Sequence, residues 1–297
     1  DQLLADGGVA APAVCAIGAH GQTVRHRPAE FDGTGYTIQL CQPALLAERT
    51  GIDVVADFRS RDVAAGGQGA PLVPAFHQGV FGVPGQTVAV LNLGGIANLS
   101  VLGADGSVRG WDCGPANALI DHWCQQHTGQ PYDRGGSWAA SGRVLAPLLA
   151  RLLEEPFLAL PPPKSTGRDL FHPEWLRQRL AGHEGAAPAD VQATLTAFTA
   201  EACVADVRSH ALQGTVPAQR LIVCGGGALN GHLMGLLQAG LPTLQVVGSD
   251  QVGLPPLQVE AAAFAWLALQ CVRRQTASLP SVTGAQGARV LGAIYPR

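Results

Sequence analysis

Asp112 is the residue of this chain best placed for acid–base work. It follows a short apolar strand pattern at residues 108–111 and precedes Cys113-Gly114-Pro115 and a helical pattern. A carboxylate at a strand end that faces a cleft can take a proton from a hydroxyl or water. The same placement suits an aspartate capping the following helix, a role worth ~1 kcal/mol. A phosphate site nearby would separate the two uses.

Two glycine segments offer such a site. Cys224-Gly225-Gly226-Gly227-Ala228-Leu229-Asn230 reads as strand, glycine loop and helix start, where backbone amides and the helix dipole favour a nucleotide. Its spacing is not that of a dinucleotide fingerprint. Leu91-Asn92-Leu93-Gly94-Gly95-Ile96-Ala97-Asn98-Leu99-Ser100 reads as a hairpin in which Gly94 and Gly95 supply positive φ angles. Amides exposed at a glycine turn also form an anion nest, with Asn98 just beyond it.

Polar residues gather after two further strand patterns. His20-Gly21-Gln22-Thr23 follows one, and Asp57-Phe58-Arg59-Ser60-Arg61-Asp62 follows the other, with a glycine-rich stretch running on to Pro74. Each could be an ordinary turn or ion-pair cluster. Two of them at strand ends suit the place where open α/β sheets put ligands. Lys164-Ser165-Thr166-Gly167-Arg168-Asp169 is either a solvated loop with a helix cap or a basic loop reaching an anionic ligand. Glu260 is the one acid of the apolar stretch 254–266, either an exposed first-turn residue favoured by the helix dipole or a metal or catalytic carboxylate.

The elements that must position these groups alternate between strand and helix. Strands are expected at residues 13–17, 36–40 and 52–56, with a helix at 43–49. A three-stranded antiparallel meander is expected over 87–93, 96–102 and 108–111, then a helix to about 127 with Pro115 in its first turn and Gly129 as its stop. Helices are expected at 144–153, 190–213, 230–239 and 259–273, and strands at 220–224 and 244–247. A last strand at 290–295 returns to the first domain. The turn around Val83-Pro84-Gly85-Gln86 marks a boundary, giving a first lobe of 1–85 completed by about 275–297 and a second lobe of 86–274. The apolar helix around Phe264 and Trp266 suits a homodimer or a lobe interface equally.

Composition narrows the class. The 297 residues are 47% hydrophobic and 14% charged with a net charge of −3, so the chain is globular rather than disordered. Its 19 basic residues are 18 arginines and one lysine, scattered without a run, which argues against nucleic acid as a partner. Lys164 follows Pro161-Pro162-Pro163, so the glycine–lysine step of a P-loop is missing. Seven cysteines without a CxxC pair suit reduced, buried thiols in a cytoplasm. No apolar stretch reaches the ~20 residues that cross a bilayer. Serine-hydrolase, zincin and zinc-ribbon signatures are absent.

Taken in order, Gly18-Ala19-His20-Gly21-Gln22-Thr23-Val24-Arg25-His26, residues 57–74, 91–100, 110–117, 163–169, 224–230 and 260–268 resemble the anhydro-N-acetylmuramic acid kinase family. The resemblance implies an α/β, two-lobed RNase H-like (actin-like ATPase) fold with ATP and sugar in the cleft between lobes. It implies cytoplasmic recycling of bacterial cell-wall sugar: water opens the bridge of 1,6-anhydro-N-acetylmuramic acid while ATP phosphorylates O6. By this resemblance Asp112 is the general base. His20, Gln22, Thr23, Arg61, Asn98, Lys164 and Arg168 contact the sugar, and Gly94 and Gly95 meet the phosphate. Gly225, Gly226 and Asn230 hold the nucleotide, and Glu260 supports Mg²⁺ or the reacting water.

Two departures stand out. Where the family reads Asp-Thr-Gly-Pro-Gly-Asn, this chain reads Asp112-Cys113-Gly114-Pro115-Ala116-Asn117, replacing a hydroxyl by a thiol. The family's opening phosphate loop, Met-Ser-Gly-Thr-Ser-x-Asp-Gly-x-Asp, has no match here. The expectation is a first lobe lacking its N-terminal strands, from a truncated or a degenerate relative. An inactive sugar- or nucleotide-binding protein is therefore the alternative function, and a metal-free hydrolase using Asp62 and Asp112 is a third.

Overall fold

The computed structural model describes residues 2–167 and 169–297, so Arg168 lies outside the described residues. The chain divides into two units, one running to Gly79 and resuming at Glu260–Arg297, the other being Val80–Val259. From sequence, the boundary was expected at 85/86, with 260–274 in the second lobe.

The first unit opens with α1 (Gln2–Asp6), β1 (Ile17–Gly18), β2 (Gln22–Pro28) and β3 (Gly35–Leu40). It continues through α2 (Pro43–Thr50), β4 (Val54–Ala56) and α3 (Ser60–Val63) into α4 (Pro74–Phe81), which runs across the division. β4 is apolar and fully buried, as the central strand of a three-stranded sheet should be. It pairs in parallel with β1 and antiparallel with the C-terminal strand β10 (Ala293–Tyr295), which returns as expected. β1 is shorter than its apolar pattern, because Pro12 sits in a one-turn 3₁₀ segment at Ala11–Ala13. Gly18 is required there, since a Cβ would stand 2.3 Å from the Phe264 carbonyl oxygen.

β2 and β3 form a separate antiparallel hairpin. This corrects the reading of Gln22 and Thr23 as turn residues: polar side chains on a two-sided, solvated ribbon hide its strand pattern.

The second unit holds β5 (Val88–Leu93), β6 (Ile96–Leu102) and β7 (Val108–Pro115), the expected meander. Helices α5 (Asn117–Thr128), α6 (Ser137–Ser141), α7 (Ala146–Leu153), α8 (Pro173–Arg179) and the 23-residue α9 (Pro188–His210) follow. Then come β8 (Arg220–Cys224), α10 (Gly231–Gly240) and β9 (Gln245–Gly248). The sheet order is β7-β6-β5-β8-β9, with β8 parallel to both β5 and β9. A meander extended by two parallel strands in this order is the RNase H-like arrangement, and the fold is α/β.

Ten consecutive residues of α9, 191–200, are buried, because the helix lies between two cores. Cys203, Val204 and Val207 face the sheet core with Leu91, Leu99 and Trp111. Val191, Leu195 and Phe198 face a helical core with Leu119, Leu148, Phe171 and Trp175. Its buried polar residues are satisfied locally where Thr194 and Thr196 donate to the Asp190 and Gln192 carbonyls one turn back.

The chain then re-enters the first unit through α11 (Val259–Val272) and α12 (Pro280–Thr283). Phe264, Leu267, Ala268 and Cys271 recur at i, i+3, i+4 and i+7 and pack on Val55, Phe58 and Leu72. That stripe places α11 from Glu260 onward with the first unit. Trp266 packs beside the same cluster and lies 6.3 Å from the Phe76 ring, so the aromatic face of this helix is used within its own unit.

Candidate active site

The sheet register of the second unit assembles a polar row. Asp112 on β7 is opposite Asn98 on β6, Asn98 is opposite Asn92 on β5, and Asn92 is opposite Cys224 on β8. Side chains opposite one another in a sheet share a face, so these four lie in line. A bulge between Ala97 and Asn98 brings Asp112, rather than Cys113, opposite Asn98. The Cys224 thiol lies 3.8 Å from Asn92 Oδ1. The row sits where β5 and β8 reach their carboxyl ends, the edge at which open α/β sheets bind ligands.

Asp112 is 6% exposed and held by a loop. Its N–H donates to the Lys164 carbonyl at 3.1 Å, and its Oδ2 accepts from the Thr166 N–H at 2.9 Å. Beside it Asn98 Oδ1 is buried without a hydrogen-bond partner. A buried polar atom in that condition calls for an explanation, and a ligand hydroxyl or water at the row supplies one. Asp112 does not cap α5. The α5 N-terminus is satisfied by the hairpin: the N–H groups of Ala116 and Ala118 donate to the Gly95 carbonyl, and that of Asn117 to the Gly94 carbonyl.

The two glycine segments differ. Gly94 has no left-handed φ, contrary to the expectation for this hairpin, and a Cβ there would meet nothing closer than 3.8 Å. Gly225 has φ +79°, and a Cβ would stand 2.6 Å from Asn92 Oδ1 and 2.7 Å from the Leu93 carbonyl oxygen. Its loop is thus pressed against the end of β5. Gly226 is exposed. Asn230 is buried and caps α10, its Oδ1 accepting from the Leu233 N–H at 3.0 Å, so only its Nδ2 could serve a ligand.

In the first unit, His20 is held against Arg59. The Arg59 Nε–H donates to His20 Nε2 at 2.9 Å, and the His20 ring lies 4.5 Å from that of Phe264. Burial, then the Arg59 charge, push the His20 pKa down to about 4, so at neutral pH the ring is an uncharged acceptor. Arg59 also donates to the Gly69 carbonyl at 2.8 Å, whereas the proposed Arg61 is exposed on α3. Gln22 is exposed and donates to the Thr23 carbonyl, and Thr23 Oγ1 accepts from Gln39.

Asp62 is fully buried. It accepts from the Gly69 N–H and the Thr283 hydroxyl, at 2.8 and 2.9 Å, and burial pushes its pKa up. Oδ2 holds the glycine-rich segment at Gly69 and Oδ1 holds Thr283 of α12, so both oxygens are engaged in structure, which argues against Asp62 as the partner carboxylate of a hydrolase.

Lys164 is corrected as well. It is 5% exposed; its ammonium donates to the Leu158 carbonyl at 3.1 Å and lies 3.8 Å from Asp206 and 5.1 Å from the centre of the Phe157 ring. It is a buried structural cation, not an arm toward an anionic ligand. Cys113, 1% exposed, sits against Cys203 and Asp206 on the opposite side of β7, so the thiol that replaces the family's hydroxyl faces the core rather than the polar row.

Glu260 is exposed in the first turn of α11. Among the described residues no group of three or more His, Cys, Asp or Glu side chains could hold a metal ion. No helix among them is long and apolar enough to cross a membrane. Sequence reasoning missed Arg59, Thr166 and Asn92 as site-building residues. The one available signal was Asn92, which alternates with Leu91 and Leu93 beside the glycine pair.

Comparison with known proteins follows the same lines. The family described as Anhydro-N-acetylmuramic acid kinase matches residues 1–297. The chain is 65% identical over 300 residues to the anhydro-N-acetylmuramic acid kinase of Variovorax paradoxus (strain S110), covering 99% of this chain and 79% of that relative. It is 60% identical over 315 residues to that of Albidiferax ferrireducens, covering 99% and 80%. Among solved structures it is similar to the activator of the 2-hydroxyisocaproyl-CoA dehydratase from Clostridium difficile, at 14% identity and a TM-score of 0.43 over 87% of this chain and 94% of that one. A polar row ending in a held aspartate, on the sheet of a chain matched from end to end, leads to one conclusion: the chain belongs to the anhydro-N-acetylmuramic acid kinase family.

Proposed function

We propose that this kinase opens the anhydro bridge of 1,6-anhydro-N-acetylmuramic acid with water while transferring the ATP γ-phosphoryl group to O6. The observation that carries this reading is the pairing of Asp112 with the partnerless Asn98 Oδ1 in one sheet register. The Asp112 carboxylate takes a proton from water as the water oxygen bonds to the anomeric carbon. The bond from that carbon to O6 breaks, O6 bonds to the γ-phosphorus, and ADP leaves. The proton on Asp112 passes to solvent, and the product is N-acetylmuramic acid 6-phosphate. Phosphoryl transfer asks the protein mainly for positioning and charge stabilisation; Asp112 contributes positioning, its carboxylate held by the Thr166 N–H and its backbone N–H by the Lys164 carbonyl.

In the second unit, the Gly225–Gly226 loop is assigned to the nucleotide and the Gly94–Gly95 turn to its phosphates, with Asn230 Nδ2 as a further contact. In the first unit, His20, Gln22, Thr23 and the exposed Arg61 are assigned to sugar recognition. Arg61 would bind the lactyl carboxylate through both oxygens. Mg²⁺ is assigned to the nucleotide phosphates, and Glu260 to the support of Mg²⁺ or the reacting water. When bound there Mg²⁺ neutralises phosphate charge. The physiological setting we assign is cytoplasmic peptidoglycan recycling.

Turnover of the anhydro sugar with ATP and Mg²⁺ tests the proposal. Stoichiometric ADP and sugar 6-phosphate support it, and sugar opening without nucleotide overturns it.

A further inference from the structure

Beneath Asp112 lies a buried ionic centre that the proposed reaction does not use. Asp206 on α9 accepts from the Trp111 indole N–H at 3.1 Å and lies 3.8 Å from the Lys164 ammonium, with side chains 13% and 3% exposed for Asp206 and Lys164. The Cys113 thiol rests against the same carboxylate. Trp111 and Cys113 flank Asp112 on β7, and Lys164 begins the loop whose Thr166 N–H holds Asp112 Oδ2. Asp206 therefore ties down both sides of the general base: the strand that carries it and the loop that orients it.

We infer that Lys164, the one lysine of the chain, is a positioning residue that acts through Asp206 to hold the Thr166 amide on Asp112. The inference rests on the reading of Asp112 as general base. A buried ammonium costs desolvation and is retained only where its partners compensate it. Here the partners are Asp206, the Leu158 carbonyl and the Phe157 ring face, all within the second unit. The connection from Lys164 to Asp112 is also short. The Lys164 carbonyl accepts from the Asp112 N–H, so a shift of this side chain moves the backbone that contacts the base at two points.

The test compares the wild type with the double variant Lys164→Met/Asp206→Asn, which removes both buried charges together and leaves no unpaired ion. Sugar turnover is measured alongside hydrogen exchange at the Thr166 amide. The expected result is kcat lower by about 10- to 100-fold, as sub-ångström misplacement of a reacting group produces, with KM for the sugar within about threefold. Thr166 exchange should be faster by about tenfold while the central sheet amides are unchanged. A structural role alone would lower the unfolding temperature without this split.

Unchanged Thr166 exchange, or kcat within about threefold of wild type, overturns the inference. If the double variant does not fold, Trp111→Phe removes one donor from Asp206 and should shift both readouts the same way by a smaller factor; no shift in either overturns it. If the wild type shows no turnover, the general-base reading fails, and Thr166 exchange alone decides whether Lys164 holds this loop.

Discussion

The backbone N–H of Thr166 donates to Asp112 Oδ2 at 2.9 Å, across 54 residues of chain. A carboxylate that accepts from a backbone amide is held in one orientation, as a general base must be. Thr166 thus contributes its backbone to the site, while the Lys164 side chain turns to Asp206.

Asp112→Asn should abolish turnover, lowering kcat by about 10³-fold or more, while the Kd for the sugar changes by less than about threefold. The amide keeps the size and can still accept from Thr166 but cannot take a proton. Steady-state kinetics with calorimetric sugar binding check this, and near-normal kcat would remove Asp112 from the base role.

The two glycine segments make opposite predictions. Gly225→Ala should destabilise the fold by about 2 kcal/mol, because φ +79° and the Leu93 carbonyl at 2.7 Å both oppose a side chain. Gly94→Ala has room and no left-handed backbone, so its stability should change by less than about 0.5 kcal/mol. A raised KM for ATP in a stably folded Gly94→Ala would assign the turn to phosphate approach. Unchanged kinetics would leave it only the capping of α5.

Stability should fall as pH drops below the ordinary histidine value. His20 is neutral in the folded state down to about 4, whereas in the unfolded chain it takes up a proton near 6.5. The unfolded state binds more protons between those values, so this group favours unfolding progressively from pH 6.5 to 4, by about 3 kcal/mol at the lower end. His77, fully buried and pushed down to about 3 by burial, acts in the same direction. Denaturant unfolding across this range should show the loss, and His20→Gln should flatten it.

Asp62→Ala should cost about 2–4 kcal/mol, since it strands the buried Gly69 N–H and Thr283 hydroxyl. Asp62→Asn keeps an acceptor and should cost less. Chemical denaturation of both variants checks the order.

What could be read from sequence was whatever local pattern determines. The meander, its Gly94-Gly95 turn and the returning strand at 290–295 all follow from apolar runs broken by turn residues. Of the β2–β3 ribbon, β3 was read at 36–40, where burial alternates, but β2 was illegible because its partly solvated faces leave no two-residue alternation to detect. The partner of α11 was illegible for another reason: an apolar stripe states that a face is buried, not against which unit. Asp112 could be singled out by its strand-end position, but Thr166, Asp206 and Arg59 act through contacts made only when distant segments meet. Lys164 was misjudged because a charged residue in a polar loop reads as exposed, and its burial depends on Asp206, 42 residues away.

The most direct test of the central claim is one reaction mixture: this chain with 1,6-anhydro-N-acetylmuramic acid, ATP and Mg²⁺, followed for ADP and sugar 6-phosphate. Equal amounts of both, with no sugar opened when ATP is omitted, are the predicted result. Sugar opening without nucleotide, or ADP formation with no phosphorylated sugar, would contradict it.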